Sequence, residues 1–432
     1  MTSSVELKIH GDVAEIRVVN PPVNALSRTV RGRLVEVLAG VDQLGVRIAI
    51  LTGGRERFVA GADIAELDKP IDPPDLLDIE AVIAQLATPV IAAVEGRALG
   101  GGFLLALMCD LRVVHRNSSF GFPEVSLGLL PTFAGTRIPP RMCEPAFAAR
   151  LIAYGEKIDA LTALRAGLID EISPEDDVAA FAGRLQVSGK RRTLSLPPPP
   201  TAARAQVEAV ITSVAAEKRG FLAPETALRS MLFGLDAPLE AALENEARLF
   251  EALRVSAQSK LLRTLFFVER SASRSPAPQA GATRGFISAP GLMVEQRLLG
   301  FSPAPTGVLT YDQARAHADS RSLRLVTMPA VHLGETMSAC MSAAIARMNV
   351  EADALVGALR EAGFSAVAAK YWSRSTAGRA PAQLQAKPII AALRRALREC
   401  PDLRDAAPAA VNLLSTWVLG WPRWDASIFG PD

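Results

Sequence analysis

Residues 89–109 run Pro-Val-Ile-Ala-Ala-Val-Glu-Gly-Arg-Ala-Leu-Gly-Gly-Gly-Phe-Leu-Leu-Ala-Leu-Met-Cys. Pro89 to Val94 reads as a buried strand, Gly100-Gly101-Gly102 as a turn, and the rest as an apolar helix to about Cys109. The first N–H groups of a helix lack intrahelical acceptors and carry the positive end of its dipole. Glycines at that point let a ligand atom approach the backbone closely, so such a turn suits a developing oxyanion. Phe58-Val-Ala-Gly-Ala-Asp-Ile64 is a similar element, a loop leaving a strand. One N–H from each could hold a single oxygen. On local pattern alone, tight strand–helix packing is the plainer account of the glycine triplet, and it leads. The triplet is not a GxGxxG dinucleotide fingerprint, and no Walker A motif is present. His10, His115, His317 and His332 are scattered, so none is a candidate, and no metal site is expected. Glu124, taken alone, reads as a surface carboxylate near a turn.

These segments need a scaffold. Val5, Leu7 and Ile9, then Val13, Ile16 and Val18, alternate around Gly11-Asp12 and predict a β-hairpin. Val30 to Val41 has helical periodicity, Val46 to Thr52 is an apolar strand, residues 72–87 read as a helix and Leu111 to Val114 as a third buried strand. Strands alternating with helices predict an α/β layered fold. Helical patterns fill 140–186 and, after Leu196-Pro-Pro-Pro-Pro200, resume from about 202 to 270. Ser271 to Gly281 has the composition of a linker. Residues 285–432 are apolar enough to fold, with helical stretches at Glu335–Ala362 and Lys387–Glu399. The expected organisation is a domain over 1–190, a helical extension with a linker helix over 191–270, a flexible linker over 271–284 and a mostly α-helical domain over 285–432.

Composition narrows the classes. With 432 residues the chain is long enough for two or three domains, and 49% hydrophobic residues allow a substantial core. A net charge of +2, from 47 basic and 45 acidic residues, argues against a nucleic-acid partner. The four cysteines, Cys109, Cys143, Cys340 and Cys400, lack CxxC spacing and make neither a disulfide framework nor a zinc site. That pattern fits a reducing compartment. The opening residues do not read as a signal peptide, and the apolar stretch Ala98–Cys109 is too short to span a bilayer. The expectation is a soluble, cytoplasmic protein with no membrane partner.

The ordered set of motifs is more specific than any one of them. Asn20-Pro-Pro-Val-Asn-Ala-Leu26, Phe58-Val-Ala-Gly-Ala-Asp-Ile64, Ala98-Leu-Gly-Gly-Gly102, Met108-Cys-Asp110, Phe120-Gly-Phe-Pro-Glu124, Gly128-Leu-Leu-Pro131 and Gly135-Thr136 resemble the crotonase, or enoyl-CoA hydratase/isomerase, superfamily in order and spacing. The resemblance implies a crotonase domain of ββα spiral turns and a coenzyme A thioester as substrate. It implies that the Ala62 and Gly101 N–H groups form an oxyanion hole. Ala60, Ala62, Asp63 and Ile64 would follow the adenine and pantetheine path, with Asn24, Ala25 and Leu26 near the same arm. Gly100 and Leu104 would line the substrate site. Phe103, Phe122 and Phe133 are candidates for an acyl pocket, and equally for core packing.

The chemistry implied is removal of a thioester α-proton, with the negative charge held by two fixed N–H donors; losing one such donor typically costs about 2.7–4 kcal/mol. Family hydratases use two glutamates. The first would fall at Leu104, where no acid stands; the second corresponds to Glu124. Hydration needs a water held at C3 while C2 is protonated, a task suited to two carboxylates. Isomerisation needs one base to move a proton from C2 to C4. The single acid therefore favours a Δ3,Δ2-enoyl-CoA isomerase. Enoyl-CoA hydration is the alternative, followed by another lyase or hydrolase reaction on acyl-CoA, and then by acyl-CoA binding without turnover.

Ala223 to Leu228, Glu244 to Phe250 and Leu265 to Arg270 are similar to the hydratase/isomerase half and linker helix of the bifunctional fatty-acid β-oxidation proteins. No GxGxxG follows a strand after residue 271, so NAD is not expected. Trp417 to Trp424 is similar to a stretch of the dehydrogenase C-terminal region, so 285–432 is read as a possible helical remnant of it. No permanently bound cofactor is expected. The resemblance leaves open a homo-oligomer or association with β-oxidation partner enzymes.

Overall fold

A computed structural model describes residues 4–260 apart from 56, 188 and 219, together with a few isolated residues between 262 and 397. The chain divides into two compact units, Met1–Lys260 and Leu261–Asp432. The expected linker, the helical 285–432 domain and the Trp417–Trp424 stretch lie outside the described residues.

The first unit opens with the expected hairpin, β1 (Ser4–His10) antiparallel to β2 (Val13–Val19). His10 pairs with Val13, so Gly11 and Asp12 form a two-residue loop, with Gly11 at φ 62°. Strand β2 buries Ala14, Ile16 and Val18, whereas β1 is an edge strand whose Leu7 and Ile9 remain exposed. Helix α1 (Arg28–Ala39) begins where Ser27 caps the Val30 N–H, and buries Val30, Arg31, Leu34 and Leu38. Strand β3 (Ile48–Thr52) is buried throughout. Helix α2 (Leu76–Gln85) starts later than its periodicity predicts, because Asp75 and Asp78 form a capping box after Pro73-Pro74.

Two spiral turns of strand, strand and helix follow. Strand β4 (Val90–Val94) leads to β5 (Arg97–Leu99) and α3 (Gly101–Met108). Strand β6 (Leu111–Val114) leads to β7 (Ser119–Gly121), a 3₁₀ turn over Pro123–Leu127, α4 (Pro139–Met142) and α5 (Pro145–Tyr154). Strand β8 (Ile158–Asp159), α6 (Ala160–Arg165), β9 (Glu171–Ile172) and α7 (Val178–Gly183) complete the layered part. The strands form a six-stranded sheet, β1-β2-β3-β4-β6-β9, parallel beyond β2, and a three-stranded sheet, β5-β7-β8. This is the α/β spiral the motifs imply. Ile48, Ile50, Ile91, Ala93 and Val113 pack one face of the large sheet against Val178 and Ala182 of α7.

The short strands β5, β7, β8 and β9 have only two or three residues, too few for a periodic signal. After the Pro197–Pro200 break come α8 (Ala203–Glu217), α9 (Leu222–Gly234) and α10 (Leu239–Arg254), and they belong to the same compact unit as the sheets. Among the described residues no helix is long and apolar enough to cross a membrane.

Candidate active site

The two glycine-bearing loops meet at van der Waals distance. A Cβ placed on Gly101 would lie 3.6 Å from the Ala62 N, and one on Gly61 would lie 3.6 Å from the Gly101 N and 2.8 Å from the Leu99 O. Gly61 stands at φ 104° and Gly100 at φ 54°, both in the region that favours glycine. A Cβ on Gly102 would collide with the Val59 carbonyl. Glycines at 61, 100 and 102 thus let the loops close on one another, while Leu99 N–H donates to Val59 O at 3.4 Å.

Both expected donors are free to act. Gly101 is the first residue of α3, whose first intrahelical bond runs from Leu104 N–H to Gly100 O at 3.0 Å. Ala62 is bridged in parallel to Leu26, but Leu26 N–H donates to Gly61 O at 2.9 Å. The bridge uses the residue before Ala62 and leaves the Ala62 N–H turned away from Leu26. Neither N–H has a backbone acceptor among the described residues. Ala62 is exposed and Gly101 half-buried, so a ligand oxygen can reach them.

Glu124 sits on the same loop from the other side. Its Oε1 is 2.6 Å and its Cδ 3.3 Å from the position a Gly100 Cβ would take. The 3₁₀ turn carrying it follows β7 and ends at Gly128, φ 69°, whose N–H returns to Glu124 O. Part of the residue reaches the surface, but its Oε2 is shielded and has no hydrogen-bond partner among the described residues. Burial pushes its pKa up to about 8, only partly offset by its own backbone N–H. The plain surface carboxylate that Glu124 resembles in isolation is therefore corrected: its reactive end is desolvated and adjacent to the oxyanion loop. Leu104, at the place of the missing acid, is buried in α3.

The other expected residues surround this centre with differing duties. Asn24 (φ 56°) spends its side chain on the scaffold: Nδ2 donates to Gly53 O at 3.0 Å and Phe58 O at 3.1 Å, and Oδ1 accepts from Asn20 N at 2.9 Å. Asp63 caps the 3₁₀ turn Ile64–Asp68 through the Ala65 N–H at 3.1 Å. The Leu26 side chain comes within 3.8 Å of the Gly101 Cβ position. Ala25, Ala60 and Ile64 are half-buried along the same loops. Phe103 and Phe122 are buried, and the Phe103 ring packs against Phe120 and Phe122 at centroid distances of 5.1 and 5.2 Å, so they serve the core.

Three residues were not anticipated. Leu76 of α2 brings its Cδ1 to 3.3 Å from the Gly101 Cβ position. Arg31, buried in α1, donates to Leu26 O (2.6 Å), Pro74 O (2.7 Å), Asp72 O (3.0 Å) and Glu66 Oε2 (3.0 Å), holding both flanks of the site. Glu246 of α10 is buried and accepts from Ala134 N (2.8 Å), Thr136 N (2.9 Å) and Thr136 Oγ1 (2.6 Å). It thereby fixes a loop in which Phe133 and Ala134 have φ of 62° and 68°. That loop continues from the Glu124 turn, because Leu129 N–H donates to Glu124 O at 3.1 Å. Burial raises Glu246 to about 7 despite these donors. A sequence signal existed for Glu246: it occupies the buried stripe Ala242, Glu246, Phe250 and Leu253.

Residues 8–187 match the family model described as enoyl-CoA hydratase/isomerase. A peroxisomal bifunctional enzyme of Danio rerio is 33% identical over 273 residues, covering 62% of this chain and 38% of that protein. The fatty acid oxidation complex subunit alpha of Shewanella loihica is 32% identical over 266 residues, covering 57% of this chain and 38% of that protein. A crotonyl-CoA hydratase of Syntrophomonas wolfei is 37% identical over 181 residues, covering 39% of this chain and 69% of that protein. The chain thus spans about two-fifths of the length of the bifunctional relatives but most of the hydratase. With paired amides on glycine-tightened loops, a desolvated glutamate beside them and these relatives, the chain belongs to the enoyl-CoA hydratase/isomerase family.

Proposed function

We propose that this chain is a Δ3,Δ2-enoyl-CoA isomerase. An acyl-CoA binds with its thioester oxygen on the Ala62 and Gly101 N–H groups. Glu124 takes the C2 proton, the two amides hold the charge on the enolate oxygen, and the proton returns at C4. The observation that carries the reading is the Glu124 carboxyl lying against Gly100, next to the Gly101 donor, while Leu104 supplies no acid. The substrate is a coenzyme A thioester, and no resident cofactor, NAD or metal enters the chemistry. Similarity to a fatty acid oxidation complex subunit points to acyl-CoA β-oxidation and to partner enzymes of that process. A cytoplasmic location, resting on the cysteine pattern, belongs to the same proposal.

The test is conversion of 3-enoyl-CoA and 2-enoyl-CoA, followed by absorbance of the conjugated thioester. An isomerase raises absorbance with the first; a hydratase lowers it with the second; a binding protein changes neither. Glu124→Gln is expected to lower isomerisation by about 10²–10⁴-fold, the usual contribution of a positioned acid/base. Hydration is the second reading, favoured by the likeness to a crotonyl-CoA hydratase. Under the isomerase reading, Leu104→Glu increases hydration of 2-enoyl-CoA.

A further inference from the structure

The turn that carries Glu124 is held from far along the chain. Ser259, buried beyond the end of α10, donates its Oγ to Leu127 O at 2.9 Å, at the last residue of the 3₁₀ turn Pro123–Leu127. A few residues on, the Glu246 carboxylate of α10 accepts from the Ala134 N–H, the Thr136 N–H and the Thr136 hydroxyl, at 2.8, 2.9 and 2.6 Å. Thr136 Oγ1 also lies 3.0 Å from Ser230 Oγ of α9. Between these two anchors, Leu129 N–H donates to Glu124 O itself at 3.1 Å. Residues 127–136 are thus pinned at both ends by side chains of the helical extension.

Packing alone does not ask for this arrangement. Burying a carboxylate is costly, and Phe133 and Ala134 take positive φ in the pinned segment. Backbone strain of this kind persists where the surroundings fix it, and it gathers at active sites. The seat of the base is also narrow. Glu124 Oε1 lies 2.6 Å from the position a Gly100 Cβ would take. Beneath the turn, a Cβ on Gly155 would stand 2.9 Å from Val125 Cγ2 and 3.5 Å from Pro123 Cα. The oxyanion loops are braced by other residues, Asn24 at Gly53 and Phe58 and Arg31 at Leu26. Loss of the Glu246 or Ser259 bonds therefore leaves the bracing of the two amides untouched.

We propose that Glu246 and Ser259 are positioning residues for the Glu124 base, which makes the helical extension a working part of the active site. The inference rests on Glu124 being the acid/base, whether it isomerises or hydrates. Without either anchor, the 127–136 segment relaxes and the Glu124 turn shifts on its seat at Gly100. Proton transfer then slows, because a misplacement of about 1 Å caused far from the chemistry can cost about 10²-fold. Water also reaches the carboxyl. Burial, not a neighbouring charge, is what raises the Glu124 pKa, so Glu124 then ionises at lower pH. Binding of the thioester oxygen by the Ala62 and Gly101 amides is unaffected.

The experiment uses the full chain with 3-enoyl-CoA and 2-enoyl-CoA, measuring kcat, KM, the pH profile of kcat/KM and the melting temperature. Glu246→Gln and Ser259→Ala are each expected to lower kcat by about 10- to 10²-fold with little change in KM. The acid limb of their kcat/KM profiles should move to lower pH. Ser259→Ala changes no titrating group, so its profile reports the surroundings of Glu124. Ala242→Gly is the control: it weakens α10 on the same buried stripe without removing a bond to the loop. It should melt earlier than wild type yet keep the wild-type kcat and acid limb. Wild-type kcat in both Glu246→Gln and Ser259→Ala overturns the proposal. So does a slowing that Ala242→Gly reproduces, or one with the acid limb unmoved. If Glu246→Gln does not fold, Ser259→Ala, which loses a single hydroxyl, decides. A wild type that converts neither substrate, or a Glu124→Gln as fast as wild type, overturns the reading of Glu124 and this one with it. A slow Glu124→Gln beside fast Glu246→Gln and Ser259→Ala overturns this one alone.

Discussion

Glu124 and Gly100 form a matched pair at the residue scale. The carboxyl occupies the space a side chain at position 100 would need, 2.6 Å from its Cβ position, and the backbone there has φ 54°. Gly100→Ala is therefore expected to displace the carboxyl and strain the turn. Activity should fall at least tenfold and the melting temperature should drop, readable by the absorbance assay and calorimetry. The desolvated carboxyl also sets a pH dependence. As a base it must be ionised, and its pKa is about 8 in the free protein. Isomerisation kcat/KM should rise about tenfold per pH unit below that value and level off above it. Stability runs the other way. A carboxyl whose folded pKa is raised above its unfolded value stabilises fully below about 4.5, and that contribution is lost as pH rises through about 8. Glu124→Gln should therefore gain stability over wild type as pH increases toward 8, measured by denaturation at pH 5 and pH 8.

At the scale of elements, the site depends on helices distant in sequence. Glu246 of α10 satisfies the Ala134 and Thr136 N–H groups of a loop 110 residues away. Glu246→Ala leaves those donors without their acceptor and is expected to cost on the order of 3 kcal/mol in urea unfolding. Glu246→Gln, which keeps one acceptor oxygen, should cost less. The long strands and helices were readable because β3 and β4 are continuous apolar runs and α2 has a buried stripe. The glycine triplet marked the oxyanion loop. What was not readable came from tertiary pairing. Strand β5 exists because Arg97 to Leu99 pair with Ser119 to Gly121, and no three-residue pattern announces that. Arg31 reads as a polar break in the periodicity of α1; its use lies in the carbonyls of other loops that it holds. Leu76 reads as an ordinary helix position until its side chain is seen against Gly101.

At the scale of the whole molecule, the oxyanion pair, the Glu124 turn and the α10 anchor all lie within the 1–260 unit. The bifunctional relatives are more than twice as long as the stretch they share with this chain. The sequence after residue 271 contains no GxGxxG string, so titration with NADH, followed by its fluorescence, is expected to show no saturable binding. The central claim is that two main-chain amides grip one thioester oxygen beside one carboxyl. A crystal structure of the protein with acetoacetyl-CoA, whose enolate mimics the charged intermediate, tests it most directly. The account predicts the thioester oxygen at about 2.7–3.1 Å from both the Ala62 and Gly101 nitrogens, with Glu124 against C2. An oxygen bound elsewhere, or held by only one of these amides with Glu124 turned away, would contradict it.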